Sequence, residues 1–200
     1  MAVERNLERI RQWCVSRAPA TAAGFRSAAT SDELDAAQEA TAFGWPAQLV
    51  QLYRSADGND QWGLLLGYQF MSIAELLDEW RFYTNRFESN QRTDTLRHAV
   101  EAAGDPDVAG APALSWLQSF LPVARDGDGG FLFVDCRPGD SRGCVRTWTT
   151  VERDAVGTPV WDSIDDLLSR IVSAVVDGED AFEEVPTVVE GRLTWLFDTP

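Results

Sequence analysis

Two hydrophobic periods share this chain, and their order constrains the fold more than any other feature. Up to about residue 88 the apolar residues recur at helical spacing. Leu7, Ile10, Trp13 and Cys14 form one stripe, and Leu49, Leu52 and Tyr53 a second. The clearest is Ile73, Leu76, Leu77, Trp80, Tyr83 and Phe87. From Leu114 the period shortens. "FLFVDC" and "GCVRTWTTV" are β-rich runs joined by the turn "RPGDSR", and in the second Val145, Thr147, Thr149 and Val151 oppose Arg146, Trp148 and Thr150. Helical spacing then returns in "DSIDDLLSRIVSAVVDG", with Ile164, Leu167, Leu168, Ile171, Val172 and Val175 inward, and "RLTWLF" reads as a last strand. Helices first, antiparallel strands next and a helix packed back define an α+β domain, not the alternation of a parallel α/β sheet. The expectation is a single domain with a mostly antiparallel sheet flanked by helices and an N-terminal helical extension.

Local signals place the boundaries. Thr30 with Glu33, and Ser72 with Glu75, are spaced as capping boxes for two helices. Pro46 suits the first turn of a third, whose left-handed exit Gly58 can supply. "RAPATAAGFRSAAT" breaks the first helix with Pro19 and Gly24 and reads as a linker. "WGLLLGYQF" is a short apolar run between glycines and reads as a buried strand. Residues 1–29 are therefore a helix and linker, and 30–200 the main domain. Within it, 89–113 is a polar excursion with a short helix around Leu96 to Ala103.

Charge narrows the partners. The formal net charge is -15, all 17 cations are arginine, and the last fifty residues hold twelve acids against three arginines. Such a balance disfavours nucleic-acid backbone, whose phosphates need cationic neutralisation. It suits solubility and electrostatic steering of a basic protein. No apolar run approaches the roughly 18 residues of a membrane helix, and the first twenty residues are charged throughout. The expectation is a cytoplasmic protein with no membrane association. Three cysteines, Cys14, Cys136 and Cys144, include no C-x-x-C pair and fit reduced thiols. Cys136 and Cys144 stand where a hairpin can bring them together, but two buried thiols is the plainer reading.

The inventory leaves little for catalysis. His98 is the single histidine and lies in the polar excursion, while a Ser-His-Asp or Cys-His mechanism needs a base oriented by a third group. Zinc-ligand spacings are absent, as are phosphate-binding glycine loops, one of which requires lysine. Paired acids such as Asp165-Asp166 and Glu183-Glu184 point in different directions on regular elements and suit a solvated face. Asp126-Gly-Asp128 resembles the mouth of a calcium loop. The positions that would be five, six and twelve hold Gly130, Phe131 and Arg137, so a calcium loop fails and a turn remains. "DGNDQWG" from Asp57 fails in the same way. No cofactor and no metal are expected.

The order of these motifs resembles the SUKH superfamily, the Smi/Knr-like domains. The similarity rests on "L-x-x-L-Y-R-x-x-D-G" after Pro46, on "S-I-x-E-L-x-x-x-W" from Ser72, on "F-L-P-x-A-x-D-G-x-G-G" through Gly130, and on Asp135 followed by "P-G-D-x-x-G". It spans about residues 30–178, with an echo at Trp195. Three positions depart: Trp45 stands where the family usually has Leu, Gly130 where it usually has Asp, and "DSIDDLL" where a Ser-Phe segment is usual. The resemblance implies an interaction domain without catalytic residues. Many bacterial relatives look like immunity proteins that neutralise the toxin of a polymorphic or contact-dependent system, and fungal relatives act as regulators of cell-wall synthesis.

The leading expectation is thus a non-enzymatic protein-binding domain, an immunity protein against a basic toxin such as a nuclease. The alternative is a regulatory or scaffold domain for cell-wall or morphogenetic proteins. A carboxylate-dependent hydrolase is a third, and needs two acids facing one cleft about 5–10 Å apart. For protein interaction the candidates are the loop acids Asp57, Asp60, Asp126, Asp128 and Asp140. Trp62 and Trp148 would be anchors or, as for most tryptophans, core.

Overall fold

A computed structural model describes residues 2–88, 107–113, 116–149, 159–179 and 184–197. Five helices precede most of the sheet: α1 (Ala2–Arg17), α2 (Pro19–Ala23), α3 (Ser31–Thr41), α4 (Ala47–Ser55) and α5 (Ile73–Glu88). Strand β1 (Gln69–Phe70) falls between α4 and α5. Strands β2 (Phe120–Arg125), β3 (Phe131–Asp135) and β4 (Val145–Trp148) follow, then α6 (Ile164–Val172) with a π-helical last turn Ser173–Asp177. A hairpin of β5 (Glu184–Val189) and β6 (Arg192–Phe197) completes the described chain. The first four strands make one antiparallel sheet in the order β1-β2-β3-β4, and β5 pairs with β6 alone.

The helices begin where the sequence signals put them. Thr30 Oγ1 accepts the Glu33 amide at 3.3 Å while Glu33 Oε2 accepts the Thr30 amide at 2.7 Å. Ser72 and Glu75 repeat the exchange at the head of α5. On α6, Ser163 accepts the Asp166 amide, and Gly178 closes the π turn at φ +72°. Each reciprocal cap satisfies amides that would otherwise lack partners in the first turn, a contribution of about 1 kcal/mol.

Both faces of the four-stranded sheet are buried, because β3 alternates in size as well as in direction. Leu132 and Val134 join Leu121, Val123 and Val145 beneath the helices, in one core with Leu7, Ile10, Leu49, Leu52, Leu76, Trp80, Leu167 and Ile171. Phe131 and Phe133 face the other way, into an aromatic cluster with Phe120, Tyr83, Trp116 and Trp148. Trp116 is its hub, with Phe133 at 5.5 Å and Trp148 at 5.7 Å between ring centroids. Burying each such ring contributes roughly 1.5–3 kcal/mol. Pro122 sits in an inner strand, where it cannot donate to the ladder; the register shifts between Pro122 and Ala124, a bulge that accommodates it.

Several expectations change at this level. Residues 18–30 are packed rather than a linker: α2 forms there, Ala18 and Thr21 are fully buried, and the Ala20 amide donates to the Gly191 carbonyl at 2.8 Å. Trp62 to Phe70 is mostly turn, with Leu64 and Leu65 buried and only Gln69–Phe70 in a strand. The glycines at 63 and 67 take positive φ and interrupt the run. α4 starts one residue after Pro46 and ends through an extended Ala56. Gly58 serves a different purpose: at φ +93° its Cβ would stand 2.8 Å from the Ser72 amide nitrogen. Strand β5 has no counterpart in the sequence reading. The helix expected at 96–103 lies outside the described residues. All three cysteines are buried and free. Among the described residues, no helix is long and apolar enough to cross a membrane.

Candidate functional site

The head of α5 gathers charge from three loops. Asp57, just beyond α4, accepts the Ile73 amide at 2.7 Å and so caps α5 alongside Ser72. Burial raises its carboxyl above the ordinary value, against the pull of that amide. Glu75, in the first turn, accepts Arg26 at 2.9 Å and Arg125 at 3.1 Å. Burial opposes its charge, but the Ser72 hydrogen bonds and both guanidinium groups bring its carboxyl below the usual value. Arg26 continues to Asp60 at 2.6 Å, and Arg125 to Glu79 at 3.5 Å.

Directly after Arg125 comes the β2–β3 turn. Asp126 Oδ1 accepts the amides of Asp128 at 2.8 Å and Gly130 at 2.6 Å, which closes the turn locally. Gly130 lets the turn close tightly: a Cβ would stand 2.2 Å from Asp126 Oδ2 and 3.1 Å from the Trp148 carbonyl oxygen, so a larger residue would have to displace the Asp126 side chain. Six carboxyl groups (Asp57, Asp60, Glu75, Glu79, Asp126, Asp128) thus share this end with two guanidinium groups, both already engaged within the chain. The surface it offers is acidic.

The other candidates divide. Trp62 is 45% exposed on the loop after Asp60 and presents an aromatic surface. Asp140 is exposed in the β3–β4 turn, at the opposite end of the strands from Asp126, so the fold does not bring it to this site. Trp148 corrects the expectation of a surface anchor: it is 2% exposed, held in the aromatic cluster because β4 turns that side toward Trp116. The residues that sequence reasoning missed are Arg26, Arg125 and Glu79. Only the spacing of Ser72 and Glu75 hinted at them, by locating the helix head they converge on.

A second ionic group lies beneath the sheet. Asp135 is fully buried and pairs with Arg137 at 2.7 Å and Arg146 at 3.0 Å. Burial works against its charge, yet Arg137 and the Gly110 amide hold the carboxyl below its usual value. Both guanidinium groups also donate to the Ala111 carbonyl, tying residues 107–113 to the strands. A cavity of about 500 Å³ opens beside Arg137, lined also by Trp116, Ser119, Thr84 and Asp107. Asp107 is the sole carboxylate among its described lining residues, whereas a glycosidase-like mechanism needs a pair. Among the described residues, no group of three or more His, Cys, Asp or Glu side chains is placed to hold a metal ion.

Residues 28–170, well over half of the chain, match the SMI1/KNR4 family (SUKH-1). The chain belongs to this family. The matched part of the SMI1/KNR4 domain runs from just before α3 into α6 and holds the whole four-stranded sheet and the six carboxyl groups of the acidic end, with Arg26 just before it. Helices α1 and α2 precede it and the β5–β6 hairpin follows it, although Leu7, Leu193 and Trp195 lie in the same core as the sheet. A comparison with curated proteins finds no match.

Proposed function

We propose that this SMI1/KNR4 protein is a non-enzymatic binding module, an immunity protein that neutralises a basic protein toxin such as a nuclease. The observation that carries this reading is the acidic end around α5, where six carboxyl groups outnumber the two arginines held by Glu75, Glu79 and Asp60, and Asp60 and Asp128 are exposed. An acidic surface of this kind steers a basic partner into contact, raising association rates toward about 10⁸ M⁻¹s⁻¹ at low salt. Asp60 and Asp128 are exposed and suited to steering, while Asp57 and Asp126 are engaged in shaping their loops. Trp62 supplies apolar contact beside them. Binding in the cytoplasm, before a toxin reaches its target, fits such a role.

The test is co-expression with the product of the adjacent open reading frame. Rescue of growth and a soluble complex whose association rate falls steeply between low and physiological salt are expected. Association that is indifferent to salt would remove the electrostatic basis of the proposal.

A further inference from the structure

Five of the eight exposed large apolar residues among the described ones belong to the β5–β6 ribbon or to the loop laid along it. One face of the ribbon is sealed. Leu193 and Trp195 are buried, and Trp195 Nε1 donates to the Gly63 carbonyl at 2.6 Å. On the other face Val185 stands across the ladder from Leu196, 43% and 48% exposed, and Val189 pairs with Arg192 beyond the intervening Thr187–Thr194 pair. Val188, also exposed, belongs by alternation to the side of Leu193 and Trp195, and Trp62 adds exposed apolar surface on the loop laid along the ribbon.

The edges of the ribbon do not favour strand addition. On β6 the Leu193 amide donates to Thr21 Oγ1 at 2.9 Å, and the Gly191 carbonyl accepts Ala20. Since that amide points away from β5, alternation turns Glu184, Pro186 and Val188 outward along β5. Pro186 removes the middle donor from this side. What the ribbon offers a partner is its face.

The charge around that face selects the occupant. Glu190 in the turn and Asp60, next to the Gln61 that binds Arg192, lie at its end; Arg192 itself is already held by Gln61 at 3.0 Å and by Glu190 at 3.9 Å, and Glu184 adds charge on the ribbon's other side. Asp126 also lies close: Tyr68, its hydroxyl raised by burial, feels both Asp126 and Glu184. The ribbon therefore continues the acidic end rather than forming a separate patch. A second copy, with a net charge of -15, would bring the same carboxylates together. The ribbon lies beyond the family match at 28–170.

Building on the immunity reading, we infer that the outer face of the β5–β6 ribbon, centred on Val185 and Leu196, is the apolar centre of the toxin-binding surface, and that its occupant is a basic protein surface with an apolar spot. The full chain carrying Val185→Thr and Leu196→Thr keeps strand-compatible side chains and should bind the adjacent-frame toxin about 10–100-fold more weakly, the loss expected for truncating central anchors. Phe82→Ala, an exposed aromatic on α5, should leave affinity unchanged. Amides of 184–197 in the unmodified protein should gain hydrogen-exchange protection on complex formation, a readout that does not depend on the variant folding. Tight binding by the unmodified chain, with the double variant equally tight and the ribbon unprotected, would overturn this inference and leave the immunity reading standing. No binding by the unmodified chain would overturn both. Self-association that depends on Val185 and Leu196 would assign the face to a second copy and refute the inference.

Discussion

Replacing Asp135 by Asn is the most severe test of how the sheet is held to residues 107–113. The carboxylate is fully buried and pairs with Arg137 at 2.7 Å and Arg146 at 3.0 Å, themselves 4% and 0% exposed. An amide of the same shape keeps the volume but leaves the two guanidinium groups facing a neutral side chain. Breaking a buried pair in this way costs about 3–5 kcal/mol. For a chain of this size each kcal/mol moves the melting temperature by roughly 2–4 °C, so a fall of about 6–20 °C is expected by calorimetry, with a matching shift in urea midpoint. The pH dependence carries a definite sign. The folded Asp135 carboxyl lies below its unfolded value, so its stabilisation is complete above the unfolded value, near 4, and is lost as pH falls through the folded one. Asp135→Asn should therefore flatten the acid limb of stability below about pH 4. A loss under about 1 kcal/mol, the scale of an exposed pair, with an unchanged acid limb would refute the claim that this carboxylate is the counter-charge on which the group depends.

Three further outcomes follow from the same geometry. Gly63→Ala places a Cβ 2.2 Å from the Leu193 carbonyl oxygen at φ +94°, and positive φ alone costs about 1–3 kcal/mol; limited proteolysis should show the hairpin loosened before the rest of the fold. Glu75→Gln keeps the cap but removes the charge facing Arg26 and Arg125, half-exposed pairs worth about 0.5–1 kcal/mol together; urea titrations at pH 7 and pH 3 should differ less for the variant, since the Glu75 carboxyl lies below its usual value and its contribution disappears in acid. Burial pushes the thiol of Cys14 up to about 12 and that of Cys144 to about 11, and raises Cys136 as well. Iodoacetamide at pH 7.5 should leave the native protein unmodified and label all three cysteines in urea; rapid native labelling would contradict their burial.

Local and periodic information was enough for the class of fold. The capping boxes at Thr30–Glu33 and Ser72–Glu75, the stripe of α5 and the inward face of α6 depend on contacts within a few residues, which a sequence carries in full. The alternation in β4 and the turn at Asp126 are equally local. What one chain of letters could not say was which side of an alternation meets solvent. Trp62 and Trp148 are the same residue type, each flanked by turns or strands, yet one is 45% exposed and the other 2%, because only the second faces Trp116 across the sheet. The same holds for charge. Arg26, Glu75 and Arg125 are up to 99 positions apart in number and meet because β1 and β2 pair at Gln69 and Arg125, beside the head of α5. The segment 18–30 looked like a linker by composition; Gly191 and Asn59, far along the chain, supply the hydrogen bonds that make it part of the core's wall. Periodicity and caps act over one or two turns of backbone and are written in the sequence, whereas burial and ion pairing depend on which distant surfaces the fold brings face to face.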